Sequence, residues 1–131
     1  MKFKFLLTSF LLVSIFTSGS LIAQSSVTFN VNLKPQLEDS TFVPGRDKLE
    51  IIGDIRPLSM LRAFQLTDTE PVDSVYSVTL NFSTRFNRQT LTYNFIMTAN
   101  DVKLTEVLER NLTLQNREVS LDALYFNAFA W

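Results

Sequence analysis

Apolar and polar residues alternate with a period of two along much of the chain, and that alternation predicts its elements. Over residues 26–33, Val27, Phe29, Val31 and Leu33 face one way and Thr28, Asn30 and Asn32 the other, the pattern of a half-buried strand. Residues 34–46 hold Pro35, Pro44 and Gly45 and read as an irregular connection. A second strand is expected over 48–52, with Leu49 and Ile51 inward, ending at Gly53. Pro57 has no amide hydrogen to donate, so that strand cannot continue through it as a central one. Residues 58–66 fit either a short helical turn or a ragged edge strand, and 68–73, with Pro71, read as a polar loop. Two long alternating runs follow. Tyr76, Val78, Leu80 and Phe82 oppose Val75, Ser77, Thr79 and Asn81; then Leu91, Tyr93, Phe95 and Met97 oppose Thr92, Asn94 and Ile96. The seven residues 83–89 join them, which predicts an antiparallel hairpin. Shorter strands are expected over 103–109 and 111–114, a turn over 115–117, and a last strand over 119–126. About seven short strands with no long helix predict an all-β antiparallel sandwich rather than a βαβ fold.

The first 23 residues do not follow this pattern. Lys2 and Lys4 precede an apolar run over 5–16 and a short stretch of mostly small residues ending at Ala23. The run suits a secretory signal and is shorter than the roughly 20 residues a membrane span needs. Cleavage after Ala23 would leave Gln24 first; because Leu21 is large for its place, cleavage after Ser20 is an alternative. The expectation is an exported protein of the periplasm, cell surface or extracellular space, with no membrane span. Removing 23 of 131 residues leaves 108, enough for a single domain over 24–131. With no Cys, that domain must hold together by its core alone.

Composition narrows the chemistry. Without Lys2 and Lys4 the domain has 10 basic and 13 acidic residues, a net charge of −3. That balance offers no footprint for nucleic acid and no basic cluster for anionic lipid. With no His and no Cys, a Ser-His-Asp triad, a cysteine nucleophile and the common zinc sites are all removed. A glycosidase needs two facing carboxylates. Glu106 and Glu109, three apart, would fall on opposite faces of a strand, and both are expected in solvent. The loop carrying Asp68, Glu70 and Asp73 lacks the ligand spacing of a calcium site and reads as a solvated turn. No enzyme, cofactor or metal is expected. Phe, at 12 residues, outnumbers Tyr at 3 and Trp at 1, so the aromatics belong mainly to the core.

The order of landmarks resembles the starch-binding domains of carbohydrate-binding module family 20, in the form common in exported proteins of Bacteroidetes. The residues are Val27 to Leu33, Phe42-x-Pro44, Asp47, a strand ending at Gly53, Tyr76, Tyr93-x-Phe95, Glu106, Arg110, Leu112-Thr113-Leu114 and Tyr125-Phe126-Asn127. The resemblance implies an immunoglobulin-like β-sandwich without enzymatic activity that binds α-glucan on exposed tryptophans. Those tryptophans are missing: Ile55 to Met60 stand where the first would be, and Thr105 where the second would precede Glu106.

Arg56, Tyr93, Lys103 and Glu106 are therefore the candidate ligand-binding residues, with Glu106 and Arg110 alternatively holding strands together. Tyr93 fits a core position as well as a stacking platform. Phe126, Phe129 and Trp131 form an aromatic tail that either packs on the sandwich or docks a partner. The expected function is non-catalytic binding of α-glucan or another polysaccharide. The alternative is a structural or protein-interaction sandwich, with another exported protein as partner, that has lost sugar binding.

Overall fold

A computed structural model describes residues 24–128. The expected signal peptide, together with Phe129 and Trp131, lies outside the described residues. The chain forms two sheets facing each other. The first is built on β1 (Ser25–Asn32), which pairs antiparallel with β4 (Val75–Phe82) on one side. On its other side β1 pairs with β8 (Glu118–Ser120) and β9 (Leu124–Tyr125). The second sheet runs β3 (Phe64–Leu66), β2 (Lys48–Gly53), β5 (Thr90–Ala99), β6 (Val102–Thr105), with β7 (Arg110–Thr113) also on β5.

The alternation in the sequence becomes the alternation of burial. Val27, Phe29 and Val31 of β1, and Tyr76, Leu80 and Phe82 of β4, meet Leu49, Ile51, Leu91, Tyr93 and Phe95 of the facing sheet in one apolar core. Each such side chain contributes on the order of 1.5–3 kcal/mol through burial. Phe29 sets its ring edge-on to Tyr93, with centroids 5.1 Å apart, and Tyr93 does the same to Phe95 at 5.7 Å. These contacts lock ring orientations across the sandwich as well as filling space.

Asp47 fastens one end of the second sheet. Its carboxylate accepts from the Val43 amide at 2.7 Å, from the Asn100 amide at 3.0 Å and from Arg46 Nε at 2.7 Å, tying the loop before β2 to the turn after β5. The Arg46 hydrogen bond, with help from the two amides, holds the Asp47 carboxyl well below the usual carboxylate range despite the opposing cost of its burial.

Four expectations need correction. The connection over 34–46 contains a short helix, α1 (Lys34–Glu38), with Pro35 in its first turn, where a missing amide hydrogen costs nothing. More importantly, β4 and β5 do not form a hairpin, because they lie in opposite sheets. β1 offers β4 a register of eight residues, from Ser25↔Phe82 to Asn32↔Val75, and β2 offers β5 one of six. The intervening segment crosses between sheets through a 3-10 turn at Thr84–Phe86. It is fixed there by reciprocal bonds from the Arg88 amide to the Leu114 carbonyl and from the Leu114 amide to the Gln89 carbonyl. The last strand is broken into β8 and β9, and both run parallel to β1, so the described residues form nine strands and the sandwich is not purely antiparallel. Finally, β6 stops at Thr105, because the next residue, Glu106, turns inward and is buried.

Candidate functional site

The break in the last strand makes a cleft. Between β8 and β9, residues 121–123 fall outside the paired strands; the Leu121 amide still donates to the Thr28 carbonyl at 3.0 Å, and the side chain of Asn30 on β1 takes the Leu121 carbonyl. Its amide donates to Ser120 Oγ at 3.1 Å and to the Leu121 carbonyl at 2.8 Å, while its oxygen accepts from the Ser77 hydroxyl. Asn30 belongs to the outer side of β1, whereas Tyr93 and Phe95 belong to the inner side of the facing sheet. All three line one cleft of about 280 Å³, together with Arg110, Leu121, Asp122 and Leu124. The cleft therefore enters the first sheet at the break and reaches the aromatics of the second.

Behind it lies a buried ion pair. Arg110 sits opposite Tyr93 in the β5–β7 register and grips Glu106 with two bonds, Nε to Oε1 at 2.8 Å and Nη2 to Oε2 at 2.7 Å. The Glu106 side chain has no exposed surface and that of Arg110 is 10% exposed. Glu106 also accepts from the Phe95 amide at 3.2 Å and from the Asn127 amide at 2.8 Å, and Asn127 Oδ1 accepts from the Val107 amide. Arg110 reaches the Tyr125 carbonyl at 3.3 Å and lies 5.3 Å from the Phe95 ring centroid. The pair thus joins β5, the turn after β6, and the end of the chain beyond β9. A bidentate geometry with both carboxylate oxygens saturated is what a buried pair requires to offset its desolvation.

The residues singled out from sequence scatter accordingly. Tyr93 lines the cleft with Arg110, and Glu106 lies behind them, bonded to Arg110. Tyr93 is 7% exposed and serves the core through its ring. Burial pushes its phenol pKa up; the Arg110 charge opposes that rise and the Glu106 charge adds to it. Glu106 is spent on structure and presents no free oxygen to a ligand. Arg56, in the turn after β2, and Lys103, on β6, are both exposed and make no ion pair among the described residues. The register places Lys103 opposite Thr98, five positions along β5 from Tyr93, so it does not join this cluster. Phe126 is buried in the core and cannot dock a partner, which corrects that expectation. Phe129 and Trp131 lie outside the described residues.

Two surface features escaped notice in the sequence. The outer side of the first sheet carries Ser26, Thr28, Asn30 and Asn32 from β1, Val75, Ser77, Thr79 and Asn81 from β4, and Ser120 from β8, with Glu118 as the only charge in its paired rows. Part of this surface forms a groove of about 440 Å³ around Thr28, Thr79 and Ser120. Tyr125, 46% exposed, stands at the end of one row beside Asn32. On the second sheet, Val102, Leu104, Val107 and Leu108 are all exposed along and just beyond β6, which lies at the sheet edge. Alternation marked the outward residues of β1 and β4, but which outward faces share a surface depends on pairing.

Among the described residues no group of three acidic side chains is placed to hold a metal ion. Asp68, from the acidic loop, instead accepts from the amides of Asp73 and Ser74, bracing its own turn. No family model and no curated protein matches the chain.

Proposed function

We propose that the chain is an exported, non-catalytic binding domain that takes a neutral glycan on the outer side of the four-stranded sheet. The observation that carries this reading is the composition of that side: paired rows dominated by hydroxyl and amide side chains, with one charge, Glu118, one aliphatic side chain, Val75, and one exposed aromatic ring, Tyr125. Hydroxyls and amides both donate and accept, which suits ligands that are themselves dense in hydroxyls. Tyr125 offers one apolar surface for the C–H face of a sugar ring. The resemblance to starch-binding domains supports α-glucan as the first ligand to test. Amide shifts should be followed while purified protein is titrated with maltoheptaose and soluble starch. Changes at Thr28, Thr79, Ser120 and Tyr125, weakened about tenfold or more by Tyr125→Ala, are expected. Unchanged spectra at millimolar oligosaccharide would refute α-glucan as the ligand.

A second reading, a protein-interaction sandwich without sugar binding, is favoured by the apolar edge at β6. Exposed edge strands are ready templates for another chain. If that edge works, Leu104→Lys should abolish a concentration-dependent association seen by sedimentation. A wild-type protein that stays monomeric at all concentrations would speak against this reading.

A further inference from the structure

Resting on the glycan reading above, we infer that the cleft at the break in the last strand is an end-group pocket, holding one terminal, uncharged sugar ring. Size is the first reason. At about 280 Å³ the cleft sits at the lower limit of ligand pockets, which run from roughly 300 to 1,000 Å³. That is room for one ring and not for a chain passing through. A chain end fits with its single neighbour leaving through the mouth, whereas an internal residue needs room for a neighbour on each side.

The lining gives the second reason. Tyr93 lines the cleft, and its phenol oxygen makes no hydrogen bond among the described residues. Asp122, exposed on the segment that left the ladder, likewise has no side-chain partner there. A phenol that donates and accepts, and a carboxylate that only accepts, together match ring hydroxyls. Phe95, Leu121 and Leu124 supply apolar surface for the C–H side of the same ring. Asn30 shapes the cleft but adds little to binding, since both of its amide hydrogens are already committed to Ser120 and Leu121.

Charge selects the ligand class. Arg110 is neutralised by its two bonds to Glu106, which leaves Asp122 as the charge an incoming group meets. An anionic ring, such as a uronate or a sugar phosphate, would face that carboxylate and be repelled. A neutral ring would not.

The test compares two α-glucans of like composition, one with chain ends and one without. Maltoheptaose and cyclodextrin are each titrated into the purified protein, with amide shifts read at Tyr93, Leu121 and Leu124 and on the outer side at Thr28, Thr79 and Ser120. The inference expects maltoheptaose to shift both sets of amides and cyclodextrin to leave the cleft set unmoved. It also expects methyl α-glucopyranoside to compete at the cleft, and Tyr93→Phe and Asp122→Ala each to weaken maltoheptaose about tenfold. Tyr93→Phe keeps the ring contacts to Phe29 and Phe95, and Asp122 is exposed, so both variants retain the fold; unchanged unfolding midpoints would confirm this. Equal binding of both glucans with shifts only at Thr28, Thr79 and Ser120, and no effect of either variant, would overturn the end-group pocket and leave the glycan reading standing. Silence from both glucans would overturn the two together.

Discussion

Replacing Glu106 by Gln tests whether the buried pair is structural. The change keeps the shape of the side chain and removes the carboxylate charge that faces the Arg110 guanidinium, which is 10% exposed. It also places an NH2 group where a carboxylate oxygen accepted from Arg110 and from a backbone amide, either Phe95 or Asn127. Removing one partner of such a pair costs about 3–5 kcal/mol, because the survivor stays buried and uncompensated. The lower end applies here, since Arg110 keeps the Tyr125 carbonyl and the Phe95 ring. About 3 kcal/mol is a large share of a total stability of about 5–15 kcal/mol. For a domain of this size it should lower the melting temperature by roughly 12–24 °C. Urea unfolding of the wild type, Glu106→Gln, Arg110→Met and the double variant supplies the measurement. The double variant should be less destabilised than the sum of the singles, with a coupling above about 1.5 kcal/mol. A Glu106→Gln cost below about 1 kcal/mol, or additive singles, would refute the structural role.

Three further outcomes are expected. A Cβ on Gly53 would lie 2.9 Å from a Leu58 methyl and 3.2 Å from the Thr92 carbonyl oxygen, and the backbone oxygen cannot step aside, so Gly53→Ala should cost about 1–3 kcal/mol in urea unfolding. Asp47 has a lowered folded pKa, so it contributes stability above about pH 4, the unfolded value, and loses it as pH falls through the folded one. Asp47→Asn should therefore flatten the acid limb of a stability–pH profile, and an unchanged limb would contradict the assignment. Burial raises the phenols of both Tyr93 and Tyr76, so the fold favours their neutral forms: stability is full below about pH 10 and falls as pH rises through the raised values. An ultraviolet difference titration should show two tyrosines ionising late, and only one in Tyr93→Phe.

Much of the sandwich is legible in the sequence because period-two alternation reports burial directly. β1, β2, β4 and β5 fall within a residue or two of the alternating runs, and Tyr93 lies on the side its neighbours assign it. Alternation does not name a partner, however. Val75 to Phe82 and Thr90 to Ala99 look like a hairpin because they are consecutive, yet β1 gives β4 a longer ladder. The break at residues 121–123 is equally silent, since Leu121 and Leu124 are apolar and the bonds that span it come from β1, at the Thr28 carbonyl and the Asn30 side chain, 91 positions from Leu121. The cleft was therefore beyond sequence reading, although Tyr93 was not. Glu106 carries a carboxylate in the sequence whether it serves a ligand or Arg110. Only its burial decides between them.

The parallel pairing of the two chain ends has a consequence for assembly. β1 is the central strand of its sheet, and Ser26 finds Glu118 only after almost every intervening residue has been made. Contacts so far apart in sequence are closed late and slowly. During synthesis β1 is made before β8 and β9 and waits, unfinished on one flank, for residues 118–125 to follow. Loss of residues 118–125 would leave β1 held by β4 alone, with the other flank of the sheet's central strand open.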